Sequence, residues 1–186
     1  MIKYQEKATL KRCIMRKILI VVDMQNDFID GALGSPEAVA IVENVKRKIE
    51  SFDGEVIFTR DTHFDNYMDT QEGKNLPIPH CIKGTHGWEI RAELDALRKS
   101  EAIDKLTFGS STLFEALEDE NAKKKIDEIT LIGLCTDICV ISNAIGIKAF
   151  LPEVKIVVDS ACCAGVTPES HQRALDTMRV CQIEIL

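Results

Sequence analysis

The sequence predicts a single three-layer α/β domain, in which helices cover both faces of a six-stranded parallel sheet. From residue 17 onward, short apolar runs alternate with segments whose apolar residues recur at helical spacing. This alternation is typical of parallel sheets, because successive parallel strands need a crossover connection that is usually a helix. The length of 186 residues fits one domain, and no linker or internal repeat interrupts residues 17–186.

Six apolar runs predict the strands, and most of them are rich in valine and isoleucine, as strands buried on both faces should be. None approaches the roughly 20 apolar residues of a membrane span, so we expect no membrane anchor. In chain order the predicted strands are Ile18–Val22, Val56–Thr59, Ala102–Lys105, Ile129–Leu134, Lys155–Val158 and Cys181–Ile185.

Three segments between these runs carry helix signals. Ser35 and Thr167 are each followed by proline and glutamate, a sequence that places a capping hydroxyl, a first-turn proline and a favourable acid at a helix start. A third helix is predicted from Thr136 to Phe150. Because this third segment has few polar positions, we expect the helix to be largely buried.

Charge and cysteine content limit the partners and the compartment. Lysine and arginine number 23 against 30 aspartates and glutamates, which gives a net charge of −7. A field of this sign repels phosphates and anionic lipids, so we expect neither nucleic acid nor a membrane as partner. Seven cysteines without a secretory signal favour a reducing cytoplasm. A helix face of such a domain can self-associate, so a homo-oligomer is one expectation.

The first 16 residues differ from the rest of the chain because they are rich in lysine and arginine. We expect residues 1–16 to form a basic, solvated or disordered extension that precedes the domain of residues 17–186. Met15 is an alternative start of the natural chain.

Three residues that are suited to catalysis fall near the carboxyl ends of predicted strands. These strand ends share one edge of a parallel sheet. Cys139 lies at the start of the third helix, where unpaired N–H groups and the helix dipole favour a thiolate. Asp23 is suited to accept and return a proton, and Lys105 supplies a cation that keeps it ionised. Each residue alone has an ordinary structural explanation, so the prediction of a nucleophilic site depends on their convergence.

The segment between Asp61 and Trp88 predicts a metal site. It is much longer than the roughly 12–15 residues expected of a structureless loop, and it holds three of the four histidines. Asp61 and His63 alternate along an extended segment and therefore point to the same side, and His80 can complete a set of oxygen and nitrogen ligands. Glu72 is a candidate fourth ligand.

Taken together, the sequence resembles the isochorismatase-like cysteine hydrolases, and within them the nicotinamidases. The matching pieces occur in the order that the family has and cover most of residues 17–186. They are Val22–Phe28, Thr59–His63, Pro79–Thr85, Lys105 and Gly133–Val140.

The resemblance implies a fold and a set of site residues. The implied sheet order is 3-2-1-4-5-6, with a cis peptide bond between Leu134 and Cys135. The implied metal is divalent and usually zinc, with manganese and iron(II) as alternatives. The resemblance also assigns a catalytic triad, Asp23, Lys105 and Cys139, and the metal ligands Asp61, His63 and His80, with Glu72 matching a ligand of some members.

The implied activity is hydrolysis of a small amide through a thioester on Cys139. The first candidate substrate is nicotinamide, which would give nicotinate and ammonia. Asp23 takes the thiol proton in this scheme, and the backbone N–H groups of Cys135 and Cys139 hold the oxyanion. Phe28 and Trp88 are expected to cover the faces of the substrate ring.

The sequence departs from many nicotinamidases at the expected pocket. The run Leu76–Pro79 lacks their tryptophan, Ile138 replaces an aromatic residue before the nucleophile, and Leu106 replaces a small residue. Three alternatives therefore stay open. One is another small-amide or ureido hydrolase with the same thiol chemistry, the second is an isochorismatase, which needs no thiol, and the third is a non-catalytic metal-binding module.

Overall fold

The computed structural model describes residues 15–186 and has the predicted α/β architecture. Its strands are Lys17–Val22 (β1), Glu55–Asp61 (β2), Ile103–Lys105 (β3), Glu128–Leu134 (β4), Lys155–Ala164 (β5) and Glu184–Ile185 (β6). They form one sheet in the order β3-β2-β1-β4-β5-β6, and every neighbouring pair is parallel. The predicted fold class and the strand order implied by the family resemblance are confirmed.

Strand ends differ from the prediction by more than one residue at three places. Strand β2 continues through Asp61, and β5 continues through Ala164 although the polar residues Asp159 and Ser160 interrupt its apolar run. The register between β4 and β5 shifts at this level, so the extra residues of β5 are absorbed and the pairing resumes. Strand β6 is shorter than predicted because only Glu184–Ile185 pairs with β5.

Seven α-helices lie within the described residues. They are Asn26–Ile29 (α1), Pro36–Ser51 (α2), Gln71–Asn75 (α3), Ala92–Asp95 (α4), Ser111–Lys123 (α5), Ile141–Phe150 (α6) and Pro168–Val180 (α7). Helices α2 and α7 begin at the predicted caps. The Ser35 hydroxyl accepts a hydrogen bond from the Ala38 N–H, and the Thr167 hydroxyl accepts one from the Ser170 N–H, each at 3.1 Å.

The third predicted helix differs from the structure in two respects. Residues Thr136–Val140 form a π-helical turn, and α6 begins only at Ile141. The helix is also less buried than expected, since Ile145 and Phe150 are exposed. Only the face of α6 that packs on the sheet is covered, so an apolar composition alone did not predict its burial.

The segment from Asp61 to Trp88 is not structureless. It contains a 3-10 turn at Tyr67–Asp69 and helix α3. The Tyr67 ring is buried and its hydroxyl donates to the Leu76 carbonyl at 2.8 Å, while the Thr70 hydroxyl caps α3 by accepting from the Gly73 N–H. These contacts give the segment a defined shape, and Glu72 lies within α3.

Side chains of β1 alternate between two apolar layers, one on each face of the sheet. Ile18, Ile20 and Val22 pack in the layer covered by α5, α6 and α7. Leu19 and Val21 pack in the layer covered by α1, α2 and α4. This period of two places one apolar stripe on each face and explains why helices cover both sides.

Little of the predicted basic extension falls within residues 15–186, and the remainder of residues 1–16 lies outside the described residues. Arg16 is the exception with a defined role. Its guanidinium pairs with Glu55 at 2.8 Å and with Glu120 at 3.0 Å, which anchors the start of β1. Within residues 15–186, no helix combines the length and the apolar character that crossing a bilayer requires.

Gly133 lets β1 and β4 end side by side at the edge where the candidate site lies. It pairs with Val22, and its φ of +116° is a conformation that residues with side chains rarely adopt. A Cβ atom at this position would overlap the Val22 carbonyl oxygen. The glycine therefore keeps Asp23, which follows β1, close to Cys135, which follows β4.

We expect Gly133→Ala to lower the free energy of unfolding by about 3 kcal/mol or more, because the added methyl group meets backbone and the positive φ is disfavoured. The matched control is Gly84→Ala, where φ is also positive (+84°) but no described atom lies within 4 Å of the new Cβ. The control should lose only about 1–2 kcal/mol. Urea unfolding followed by circular dichroism measures both, and equal losses would contradict the steric explanation.

Candidate functional site

The chain turns sharply at Asp23, directly after β1, where φ is +48° and the side chain is fully buried. The Thr59 hydroxyl on neighbouring β2 donates to Asp23 Oδ1 at 2.7 Å and accepts from the Asp23 N–H at 3.3 Å. Burial raises the pKa of Asp23, and the Lys105 ammonium opposes this only in part. A carboxyl group in this state is suited to accept and return a proton.

The Lys105 ammonium lies between two buried carboxylates. Its Nζ atom is 2.7 Å from Asp23 Oδ2 and 3.0 Å from Asp61 Oδ1, and the lysine side chain is only 1% exposed. The contact with Oδ2 has the distance of an ion pair but not the angles of a hydrogen bond, so within the described residues this oxygen has no hydrogen-bond donor. Burial lowers the pKa of Lys105, but the facing carboxylates raise it well above its usual value.

Cys139 lies in the π-helical turn, and Lys105 Nζ is 3.5 Å from its sulfur. The sequence led us to expect a thiolate stabilised by a helix start, whereas the burial of the side chain acts in the opposite direction. The side chain is buried, so burial raises the pKa of the Cys139 thiol well above its usual value, with only partial opposition from Lys105. Burial thus favours the neutral thiol, which a neighbouring base would have to activate for attack.

A second thiol lies close to Cys139. The Leu134–Cys135 peptide bond is cis, as the family resemblance implies, and the side chain of Cys135 lines the same cavity as Cys139. Burial raises the pKa of Cys135 to about 12. Of the two, Cys139 is the thiol to which Lys105 donates a hydrogen bond, which makes it the better candidate for a nucleophile.

The four predicted metal ligands converge beside this group. Asp61 Oδ2 lies 3.1 Å from His63 Nε2 and 3.8 Å from His80 Nε2. Glu72 Oε1 lies 3.6 Å from each of these two Nε2 atoms. All four ligand atoms lie within 4.8 Å of one another. Two imidazoles and two carboxylates form a donor set that suits zinc and related divalent metals.

The hydrogen bonds around the cluster also suit metal binding. His80 Nδ1 lies 2.8 Å from the Ile78 carbonyl, so this nitrogen is the donor and Nε2 directs its lone pair toward the cluster. Burial by itself would raise the pKa of Asp61. The hydrogen bond with His63 and the Lys105 ammonium together outweigh burial, and the net pKa is below its usual value. The residues present therefore fit a divalent ion.

A cavity of about 470 Å³ opens beside the thiols and the metal cluster. No lysine or arginine is among the described residues that line it, and its polar lining consists of Asp61, Gln71, Glu72, Asn75, His80, Thr107, Cys135 and Cys139. A cavity of this size and composition suits a small molecule with an apolar body and one polar end. The apolar lining consists of Phe28, Leu33, Leu76, Leu106, Phe108 and Ile138.

The two aromatic residues expected at the substrate ring lie in different surroundings. Phe28 lines the cavity, with its ring centroid 5.5 Å from that of His80. Trp88 is not among the lining residues. Its indole N–H donates to the Thr62 hydroxyl at 2.9 Å, and the Arg60 guanidinium lies 3.9 Å from its ring centroid, so these two contacts hold the ring away from the cavity.

Sequence reasoning missed two residues that hold the site together. Thr59 bonds the Asp23 carboxylate, and Gln25 holds the backbone of Asp61 by accepting from its N–H at 2.7 Å and donating to its carbonyl at 2.8 Å. Both are buried polar residues. Thr59 could have been found because it is a polar residue in a predicted apolar strand. Gln25 could have been found because it lies in the family motif directly after Asp23.

Comparisons with known proteins find amide hydrolases of similar sequence and fold. The chain is 27% identical over 186 residues to the nicotinamidase/pyrazinamidase of Mycobacterium tuberculosis, covering 91% of this chain and 98% of that protein. The solved structure of the Pyrococcus horikoshii pyrazinamidase in complex with zinc is 27% identical, with a TM-score of 0.76 over 92% of this chain and 98% of that one. The N-carbamoylsarcosine amidase from Thermoplasma acidophilum is 28% identical, with a TM-score of 0.70 over 91% of this chain and 95% of that one.

The family itself follows from a match over nearly the whole chain. The model of the isochorismatase domain matches residues 17–186, the same residues that build the parallel sheet and the candidate site. Two of the similar proteins named above act on different amides, so the match defines the family more closely than the substrate. The chain belongs to the isochorismatase family of hydrolases.

Proposed function

We propose that this protein is a metal-assisted cysteine amidohydrolase that converts nicotinamide and water to nicotinate and ammonia. The observation that carries the proposal is the position of the Lys105 ammonium, 2.7 Å from Asp23 Oδ2 and 3.5 Å from the Cys139 sulfur. A proton acceptor, a cation and a thiol thus meet at the polar end of an apolar cavity. The similarity to the Mycobacterium tuberculosis nicotinamidase/pyrazinamidase supports the choice of substrate.

In the first half of the reaction, the Asp23 carboxylate accepts the proton of the Cys139 thiol. The sulfur then attacks the carboxamide carbon, and the backbone N–H groups of Cys135 and Cys139 donate to the developing oxyanion. Asp23 returns the proton to the amide nitrogen, the C–N bond breaks, and ammonia leaves. The raised pKa of Asp23 favours both transfers because it narrows the gap between the carboxyl and its proton-transfer partners.

In the second half, water hydrolyses the thioester. Asp23 accepts a proton from the water molecule, the hydroxide adds to the acyl carbon, and the C–S bond breaks. The proton then passes from Asp23 to the Cys139 sulfur, which restores the resting thiol and frees the acid. Lys105 favours the ionised form of Asp23 before each proton transfer, because its ammonium lies between the two carboxylates.

Asp61, His63, Glu72 and His80 would hold a divalent metal, for which zinc is our first choice. The chemistry it supplies when bound is coordination of a ring nitrogen, which orients a pyridine carboxamide. The zinc named for the Pyrococcus horikoshii pyrazinamidase supports this metal. Phe28 would contact the ring from the apolar side of the cavity.

The charges around the cavity favour a neutral substrate. The Asp61 and Glu72 carboxylates would balance the charge of a divalent ion, and the described lining residues include no lysine or arginine. Isochorismate and N-carbamoylsarcosine both carry carboxylates, which such a cavity does not attract. A neutral carboxamide is therefore supported over isochorismatase and ureido acid hydrolase activity.

We expect kcat/KM for nicotinamide to exceed that for N-carbamoylsarcosine by at least about 100-fold, since a substrate carboxylate would lose its hydration without gaining a lysine or arginine partner among the described lining residues. Ammonia release from both compounds, and loss of isochorismate followed in parallel, measures this preference. A preference for either carboxylate-bearing substrate would contradict the proposed substrate class.

We expect Cys139→Ala and Asp23→Asn each to lower kcat for nicotinamide by about 1000-fold or more, because the nucleophile and its base act as a unit. The control is Cys181→Ala, since Cys181 lies outside the cavity and should leave kcat within about twofold. The thiol chemistry is refuted if Cys139→Ala retains activity on nicotinamide. Unaltered isochorismate turnover in that variant would instead establish the isochorismatase alternative.

Metal dependence is tested with two histidines of the same long segment. We expect His80→Gln to reduce bound metal to less than about one tenth of the wild-type content and to abolish turnover, because a ligand and its preset tautomer are lost. His86→Gln is the control, since the His86 side chain is 86% exposed and lies outside the cluster. Elemental analysis and ammonia assay on the same samples provide both readouts.

Two results would count against the metal site. One is an undiminished metal content in His80→Gln. The other is a chelator-treated wild-type protein that contains no metal and still turns over nicotinamide at the original rate.

A further inference from the structure

Asn143 is a fully buried amide on α6 that bonds three backbone groups. Its Nδ2 group donates to the Cys139 carbonyl at 2.7 Å and to the Phe108 carbonyl at 3.1 Å. Its Oδ1 atom accepts from the Ser110 N–H at 3.0 Å. Both amide protons and one lone pair of the oxygen are thus used, which leaves the side chain one orientation.

The three backbone partners belong to two segments that build the candidate site. Cys139 lies in the π-helical turn, whereas Phe108 and Ser110 belong to the loop that joins β3 to α5. The residues at 106, 107 and 108 in this loop line the cavity, and the Thr107 carbonyl accepts a hydrogen bond from Lys105 Nζ at 3.2 Å. The loop therefore touches both the lysine and the cavity.

We propose that Asn143 is a positioning residue that fixes the Cys139 turn against the Lys105 loop and thereby sets the distance between the sulfur and the ammonium. Apart from Lys105 itself, no described side chain bonds both of these segments. The two segments belong to different elements, so such a bridge adds to the packing of α5 against α6 in fixing their relative position. For its activity readout, the inference rests on the proposed function.

Substitutions at position 143 can distinguish a hydrogen-bonding role of the side chain from a role in filling space. Aspartate has nearly the same shape and keeps the acceptor for Ser110, but it replaces both donors with lone pairs that face the carbonyls of Cys139 and Phe108. Alanine removes all three bonds and leaves room for the two segments to shift. Both changes should loosen the bridge, although by different means.

Asn121 offers a matched control. Its Oδ1 atom accepts from the Ile126 N–H at 2.7 Å, and this is the only side-chain hydrogen bond of Asn121 among the described residues. Aspartate preserves this acceptor, so Asn121→Asp adds the same charge without breaking a described side-chain hydrogen bond. Asn143→Asp, in contrast, loses the two bonds that the amide donates. Asn121 is also near the end of α5 that is remote from the cavity loop.

We expect Asn143→Asp and Asn143→Ala to lower kcat on nicotinamide by about 10- to 100-fold with KM changed by less than about threefold, because a displaced nucleophile affects the reaction more than binding. The rate of Cys139 alkylation by iodoacetamide at fixed pH should fall by at least about fivefold, since the sulfur loses its place beside the cation. Asn121→Asp should change neither rate by more than about twofold. Urea unfolding of each variant shows that the assays are run on folded protein.

The inference is overturned if either folded Asn143 variant alkylates and turns over at rates within twofold of the wild type. It is also overturned if alkylation becomes faster, or if Asn121→Asp loses as much as Asn143→Asp. If Asn143→Asp does not fold, Asn143→Ala decides by the same criteria. A wild type that fails to hydrolyse nicotinamide, with alkylation still reduced in the Asn143 variants, would refute the proposed function and leave the positioning role supported.

Discussion

The candidate site depends on one buried ammonium that two carboxylates share. Lys105 lies between Asp23 and Asp61 and is almost fully withdrawn from water. A buried charge without a partner destabilises a fold by several kcal/mol, so the lysine and the carboxylates constrain one another. Lys105 also donates to the Cys139 sulfur, and Asp61 lies among the histidines of the metal cluster. The same ammonium therefore joins Asp23 and the thiol to the metal cluster.

The sheet order explains why residues so distant in sequence can share one charge. Strands β3, β2, β1 and β4 are consecutive in the sheet, and each supplies a site residue at or just beyond its carboxyl end. Lys105 ends β3, Asp61 ends β2, Asp23 follows β1, and Cys135 follows β4. Parallel pairing places these four ends along a single edge, and the positive φ of Gly133 lets the two central strands finish next to each other.

The burial of charged groups in the site costs stability and also shifts their pKa values. It raises the pKa of the Cys139 thiol and of the Asp23 carboxyl, so burial favours the neutral form of both groups. The lysine opposes both shifts, and the burial of Asp23 and Lys105 withdraws these charges from the solvent that would weaken their interaction. The balance between burial and a single cation thus sets the proton affinities on which the proposed reaction depends.

The sequence by itself determined the features that local patterns encode. Apolar periodicity predicted the parallel sheet, the capping residues located α2 and α7, and polar residues at strand ends identified Asp23, Lys105 and the Asp61 and His63 pair. Only the tertiary structure decided the burial that raises the pKa of Cys139, the π-helical turn that carries this residue, the contact of Trp88 with Arg60, and the bridge through Asn143. The physical reason is that desolvation and hydrogen-bond partners come from segments far away along the chain, so no local pattern contains them.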